Sequence, residues 1–242
     1  MVTDLQLIDL QVRALFTHDV DSNLVSVNEP SAENAAPAPR MFLGRTREGN
    51  MWRFRQDLAE KLVKELKVLC EDEPISREFE MPPRRADEFV RLLEADSPVR
   101  FIEAGPVYYF ADVPEPGNDF GIPMTRIAVL TEKDAGVLAV GFEDLIDELP
   151  SWQPFVALIE GDRAVSVCRS VRITAEAHEA GVETLPDFRG KGYARVVTER
   201  WARMVFAAGA VPLYSTSWEN IASQSVARKL DLSPLGSDFH VT

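Results

Sequence analysis

The stretch Pro186-Asp187-Phe188-Arg189-Gly190-Lys191-Gly192-Tyr193-Ala194 constrains this chain more than any other. It lies between a β-rich segment and a helical pattern with an apolar stripe at Val197, Trp201, Met204, Val205 and Ala208. Two glycines let a backbone turn tightly and approach a ligand, and the unpaired amides of a first helical turn attract an anion. The loop therefore reads as a phosphate cradle. A Walker loop requires Ser or Thr after Gly190-Lys191, where Gly192 stands, and an earlier glycine where Leu185 stands. A dinucleotide fingerprint requires a third glycine at the position of Arg195. Neither fits.

The rest of the chain divides at Asp112–Met124, which carries Pro114, Pro116, Gly117, Gly121 and Pro123. This predicts an N-terminal α/β region over 1–124 and a second domain over 125–242. In the first, the pattern predicts a helix over 4–17, a strand at Leu24–Val27 and a hairpin over Met41–Arg55. A helix capped by Asp57 and ending near Glu73-Pro74 follows, then a helix over Arg85–Glu94. Val99–Ile102 and Val107–Phe110 read as two short strands split by Gly105-Pro106. The aromatic run Tyr108-Tyr109-Phe110 reads as sheet packing ahead of a ligand pocket.

In the second, the order is a strand at Arg126–Leu130, a helix over about Lys133–Leu149, a hairpin of Phe155–Ile159 with Ala164–Arg169, and a strand at Ala175–Thr184. The glycine loop and a helix over 190–208 come next, stopped by Gly209. A strand at Val211–Ser217, a helix over Asn220–Leu230 and a strand at Leu235–Val241 close the chain.

Arg-x-x-Gly-x-Ala at Arg189, Gly192 and Ala194 resembles the pyrophosphate motif of the GNAT superfamily of acetyl-CoA-dependent N-acetyltransferases. The segment Asn220-Ile221-Ala222-Ser223 to Lys229-Leu230 is similar to that family's second motif. The β-α-β-β-β-α-β-α-β succession over 125–242 looks like its fold: a mixed, mostly antiparallel sheet flanked by helices, whose fourth and fifth strands splay apart to admit the cofactor. The N-terminal region is compatible with a degenerate GNAT-like half or with an unrelated domain that shapes the substrate site.

The resemblance implies that coenzyme A pyrophosphate rests on the amides of Gly190, Lys191, Gly192, Tyr193 and Ala194, with Arg189 and Lys191 adding charge. It implies that Val182 and Thr184 offer backbone groups to the pantetheine arm and that Asn220 and Ser223 contact the same arm. Asn220 also suits a helix cap. The implied reaction is acetyl transfer from acetyl-CoA to a primary amine of a small molecule or peptide. The alternative is a non-catalytic acyl-CoA-binding module.

Transfer to a protonated amine needs a base. Three candidates share the fourth strand: Glu179 and Glu183 on one face and His178 on the other, unless a β-bulge reverses the alternation. In the family a tyrosine seven residues after the motif asparagine commonly serves as acid. Ala227 stands there, leaving Tyr214, Ser217, Ser223, water or an unassisted thiolate.

Hydrophobic content of 45% and a net charge of −13 argue for a globular protein and against a nucleic-acid or anionic-membrane partner. A cationic acceptor would suit that charge. The N-terminus lacks a secretory pattern and no apolar run approaches a membrane span, which predicts a cytoplasmic monomer or homodimer. Cys70 and Cys168 read as buried free thiols, and His18, His178 and His240 show no metal-ligand spacing.

Overall fold

The computed structural model describes residues 2–30, 35–114 and 125–242. Most of the expected Asp112–Met124 boundary lies outside the described residues. The chain runs α1 (Asp4–Leu15), β1 (Phe16–His18), β2 (Leu24–Val27), β3 (Met41–Thr46), β4 (Asn50–Phe54), α2 (Glu60–Glu71), α3 (Ala86–Asp96) and β5 (Ile102–Tyr109). It continues β6 (Thr125–Val129), β7 (Phe155–Glu160), β8 (Arg163–Ile173), β9 (Ala177–Thr184), α4 (Tyr193–Ala207), β10 (Val211–Ser215), α5 (Ile221–Lys229) and β11 (Ser233–Val241).

Among the described residues, nine strands form one mixed sheet in the order β4-β3-β11-β5-β10-β9-β8-β7-β6. Every neighbouring pair is antiparallel except β9 with β10. Strand alternation sorts the core onto two faces. Trp201, Val197 and Val205 of α4 pack with Val156, Cys168 and Tyr214 on one face, where α2 and α3 also cover Met41, Leu43 and Phe239. Helix α1 covers Phe42, Val107 and Leu213 on the other. Burying each large apolar side chain stabilises by about 1.5–3 kcal/mol before entropy is counted. No helix of the described residues is long and apolar enough to cross a membrane. Cys70 and Cys168 are free and buried.

The two regions share this sheet intimately. Strand β5, from the N-terminal region, is inserted between β10 and β11 and pairs with both, while β11 pairs on its far side with β3.

Four local expectations are corrected. The segment Val99–Phe110 holds one strand rather than two, because β10 ends at Ser215 where Pro106 would otherwise have to donate an amide. The Pro106 carbonyl accepts from the Thr216 amide, so its nitrogen faces the side that β10 has just left. Gly105 is needed for close approach: a Cβ there would lie 1.8 Å from the Thr216 carbonyl oxygen.

Lys133–Leu149 is not an α-helix but two 3-10 turns, Glu132–Leu138 and Glu143–Leu145. Gly136 and Gly141 each lower helix propensity by about 1 kcal/mol. Short turns suffice to dock Leu138, Phe142, Leu145 and Leu149 on β7 and β8. Asp57 does not cap α2, whose N-cap is Ala59; its carboxylate instead accepts from Arg55 Nε at 2.7 Å. Finally, α4 begins only at Tyr193, because Gly190 and Gly192 are spent on the turn before it.

Candidate functional site

Strands β9 and β10 pair in register only from Ala177↔Val211 to Glu179↔Leu213. Beyond that point they diverge, and the backbone edge of β9 from Ala180 onward has no partner strand on that side. A cavity of ≈ 750 Å³ fills the gap on the α4 side. The β9 edge contributes Val182 and Thr184 to its wall, and α5 contributes Asn220 and Ser223. Arg189, Gly190, Gly192, Tyr193 and Ala194 form the end beneath α4.

A 3-10 turn at Pro186–Phe188 carries β9 into this loop. Gly190 and Gly192 then take φ of +77° and +84°, while a Cβ at either would meet nothing within 4 Å. Glycine is thus required by the left-handed backbone and not by crowding. Helix α4 opens without a side-chain cap, so its first amides and its dipole face the cavity end. The Arg189 Nε donates to the Thr184 carbonyl at 3.1 Å and holds the loop against β9.

Lys191 alone of the cradle candidates lies outside the cavity lining. Its Nζ sits 4.6 Å from the Phe188 ring centre and 5.8 Å from that of Tyr193. The Asn220 side chain caps α5 by accepting from the Ser223 amide at 3.0 Å. Ser223 Oγ lies 2.7 Å from the Tyr214 phenol oxygen, which also lines the cavity. Ala227 is buried in the core beneath them.

The three base candidates meet different surroundings. A bulge does occur, but on β8 between Ser170 and Arg172, so the alternation along β9 is not reversed. His178 faces α4, where its Nδ1 lies 2.9 Å from Ser170 Oγ, which accepts from Trp201 Nε1. Burial holds its pKa below the usual imidazole value, and it lines neither cavity described here. Glu183 lines the first cavity, half-exposed and ion-paired with Arg169 Nη2 at 2.7 Å.

Glu179 stands where the strands part, on the face opposite His178. It is 3% exposed, and neither carboxylate oxygen has a hydrogen bond of good geometry, its nearest polar neighbours being the Ser215 hydroxyl and amide. Burial pushes its carboxyl up to about 7, although the nearby Ser215 hydroxyl and amide draw it part of the way back.

A second cavity of ≈ 710 Å³ opens on the α1 face. Ser215 and Thr216 line both cavities, which therefore meet at this point of the sheet. Sequence reasoning missed this second cavity. Its walls come largely from the N-terminal region, including Phe16, Glu80 and Glu103, and from β11, including Asp238 and His240. Trp218 Nε1 donates to the Phe79 carbonyl at 2.7 Å and ties the two sides together. The one available signal was the period-2 pair Asp238 and His240, two ionisable residues alternating with Phe239 and Val241 in the closing strand. Asp238 Oδ2 accepts from Gln11 Nε2 at 2.8 Å, and His240 lies between Asp238 and Glu103. Burial opposes charge on His240, yet its hydrogen bonds to those two carboxylates win and raise its pKa to about 9.

Sheet, splay and glycine loop define a mixed α+β fold, mostly antiparallel and flanked by helices, with a crevice where its two parallel strands part. Residues 155–233 match the family model described as GNAT acetyltransferase. The match is confined to that segment, which is similar to GNAT acetyltransferases, a family of acyltransferases.

No curated protein matches the chain in sequence. Solved structures similar to it include a GNAT-family protein from Novosphingobium aromaticivorans, with 17% identity over 59% of this chain and 65% of that one, and a TM-score of 0.49. A GCN5-related N-acetyltransferase-like protein from Streptococcus suis has 14% identity over 85% of each chain and a TM-score of 0.49. An acetyltransferase-like structure from Salmonella typhimurium, solved with acetyl-CoA, has 14% identity over 49% of this chain and 91% of that one, and a TM-score of 0.38.

Proposed function

We propose that the protein transfers an acetyl group from acetyl-CoA to a primary amine of a small molecule or peptide. The observation that carries this reading is the pair of cavities meeting at Ser215 and Thr216, with the Glu179 carboxyl buried behind Ser215, itself lining neither cavity. The first cavity suits an extended phosphorylated ligand: uncapped helix amides and Arg189 lie at one end, and a free strand edge at Val182 and Thr184 runs along its side. Bound there, acetyl-CoA supplies an activated acetyl thioester. Lys191, turned onto the Phe188 ring, adds positive charge near the loop without entering the cavity.

The chain's own groups do the rest. Glu179, held near neutrality, takes a proton from the acceptor ammonium, directly or through water, and frees its lone pair. The amine forms the new C–N bond as the C–S bond breaks, and the departing thiolate requires a proton. Tyr214 is placed to donate a hydrogen bond to it, but burial raises its pKa to about 12. Full transfer from such a phenol to a thiolate of pKa about 8.5 would be uphill by about 5 kcal/mol. Tyr214 is therefore read as a hydrogen-bond donor, and water or protonated Glu179 as the source of the proton.

The non-catalytic reading is favoured by one feature, the buried Ala227 at the position of the family's usual acid. Release of free thiol from acetyl-CoA across an amine panel separates the two. Coenzyme A binding without turnover on any amine would overturn the transferase reading.

Gly192→Glu tests the cradle. The new side chain enters the cavity end, where it repels phosphate, and the left-handed φ of +84° adds about 1–2 kcal/mol of strain. Calorimetric titration is expected to show coenzyme A affinity lowered at least about 100-fold, equivalent to about 2.7 kcal/mol, with the fold retained by circular dichroism. Unchanged affinity would rule this site out.

A further inference from the structure

The second cavity presents an unequal set of charges. Its cationic side chains are Arg172 and His240, and both are already committed. Arg172 Nη1 pairs with Glu29 Oε2 at 3.1 Å, and His240 lies 3.5 Å from Glu103 and 3.8 Å from Asp238. Glu80 and Glu219, which also line the cavity, are exposed and make no ion pair among the described residues. The lining also includes the apolar Leu15, Phe16, Val27, Ile102 and Trp218.

A carboxylate-bearing acceptor would find no free cation here and would face Glu80, Glu103 and Glu219. A neutral alkyl tail would leave those carboxylates merely hydrated. An ammonium would gain from all three while its methylene chain lies on the aromatic walls. The second, independent observation is Glu179, 3% exposed with neither oxygen in a hydrogen bond of good geometry. It projects from the same face of the sheet as this cavity, buried behind Ser215, which lines the cavity while Glu179 itself does not, and so places a proton-accepting group just inside the wall.

We propose that the acceptor is a small aliphatic amine carrying a second cationic centre. Its reacting nitrogen lies at the Ser215–Thr216 end and its distal ammonium rests against Glu80, Glu103 and Glu219 of the second cavity. This rests on the transferase reading above and narrows it. It also gives residues 1–124 a task, since Glu80, Glu103 and Phe16 all come from that region.

Three four-carbon amines test it at saturating acetyl-CoA: putrescine, butylamine and γ-aminobutyrate, whose far ends are an ammonium, a methyl and a carboxylate. A short peptide with a free N-terminus is the fourth arm. The expected kcat/KM for putrescine exceeds that for butylamine by about tenfold or more, with γ-aminobutyrate lowest. The preference should shrink as salt is raised and in the Glu80→Gln/Glu219→Gln double variant, whose turnover of butylamine should stay at wild-type level. Butylamine, γ-aminobutyrate or the peptide matching putrescine would overturn this inference while leaving the transferase reading in place. Absence of thiol release with every amine would take down both.

Discussion

Glu179→Gln is expected to lower kcat/KM about 100-fold or more while leaving coenzyme A affinity within about twofold. The amide keeps the shape of the carboxyl but cannot accept a proton. In the wild-type protein kcat/KM should rise tenfold per pH unit below about 7, where Glu179 is protonated, and flatten above it as the base form accumulates. That limb should disappear in the variant.

Stability should move the opposite way. The folded-state pKa is raised from the ordinary 4.5, so the folded protein holds this proton more tightly than the unfolded chain. The wild-type protein is thus most stable with respect to this group below about 4.5 and loses stability as pH rises through about 7, by up to about 3 kcal/mol. Glu179→Gln avoids that loss and should raise the melting temperature at pH 8 and change it little at pH 4. Wild-type turnover in the variant would remove Glu179 from the mechanism. An equal shift in melting temperature at both pH values would show that its carboxyl is not held near neutrality.

The second large effect concerns the backbone. Residues 125–242 alone are expected to show no cooperative thermal unfolding, although they contain the whole family match at 155–233. Strand β11 has both neighbours, β3 and β5, in the N-terminal region, and β10 loses β5 on its outer side. The fragment would expose rows of unpaired amides and carbonyls together with Leu213, Leu235, Phe239 and Val241, all buried in the intact chain. Mixing it with residues 1–124 should restore cooperative unfolding, since that segment supplies β3 and β5. Calorimetry on the fragment, the mixture and the intact chain decides the matter. A sharp transition for the fragment by itself would show that 125–242 is an autonomous domain.

Much of the fold was legible because its determinants are local. The alternating hairpins, the apolar stripe of α4, the Asn220 cap and the left-handed turns at Gly190 and Gly192 each depend on residues a few positions apart. The same locality made the first cavity readable, since the loop and helix that form its end are continuous in sequence. Where a local rule competed with packing, it failed. Lys133–Leu149 has helix-like apolar spacing yet folds as short turns that dock four side chains, and Pro106 sits inside a strand because its neighbour ends beside it.

The choice among His178, Glu179 and Glu183 could not be made from adjacency, because consecutive residues on a strand face opposite environments. By itself the sequence determined the glycine loop, the helix it opens and the family that 155–233 resembles. Only the tertiary structure placed a buried carboxyl at the parting of β9 and β10, turned Lys191 away from the cavity, and threaded β5 between β10 and β11. Burial and strand pairing are properties of residues brought together from opposite ends of the chain, as His240 and Glu103 are, and no local pattern encodes such distances.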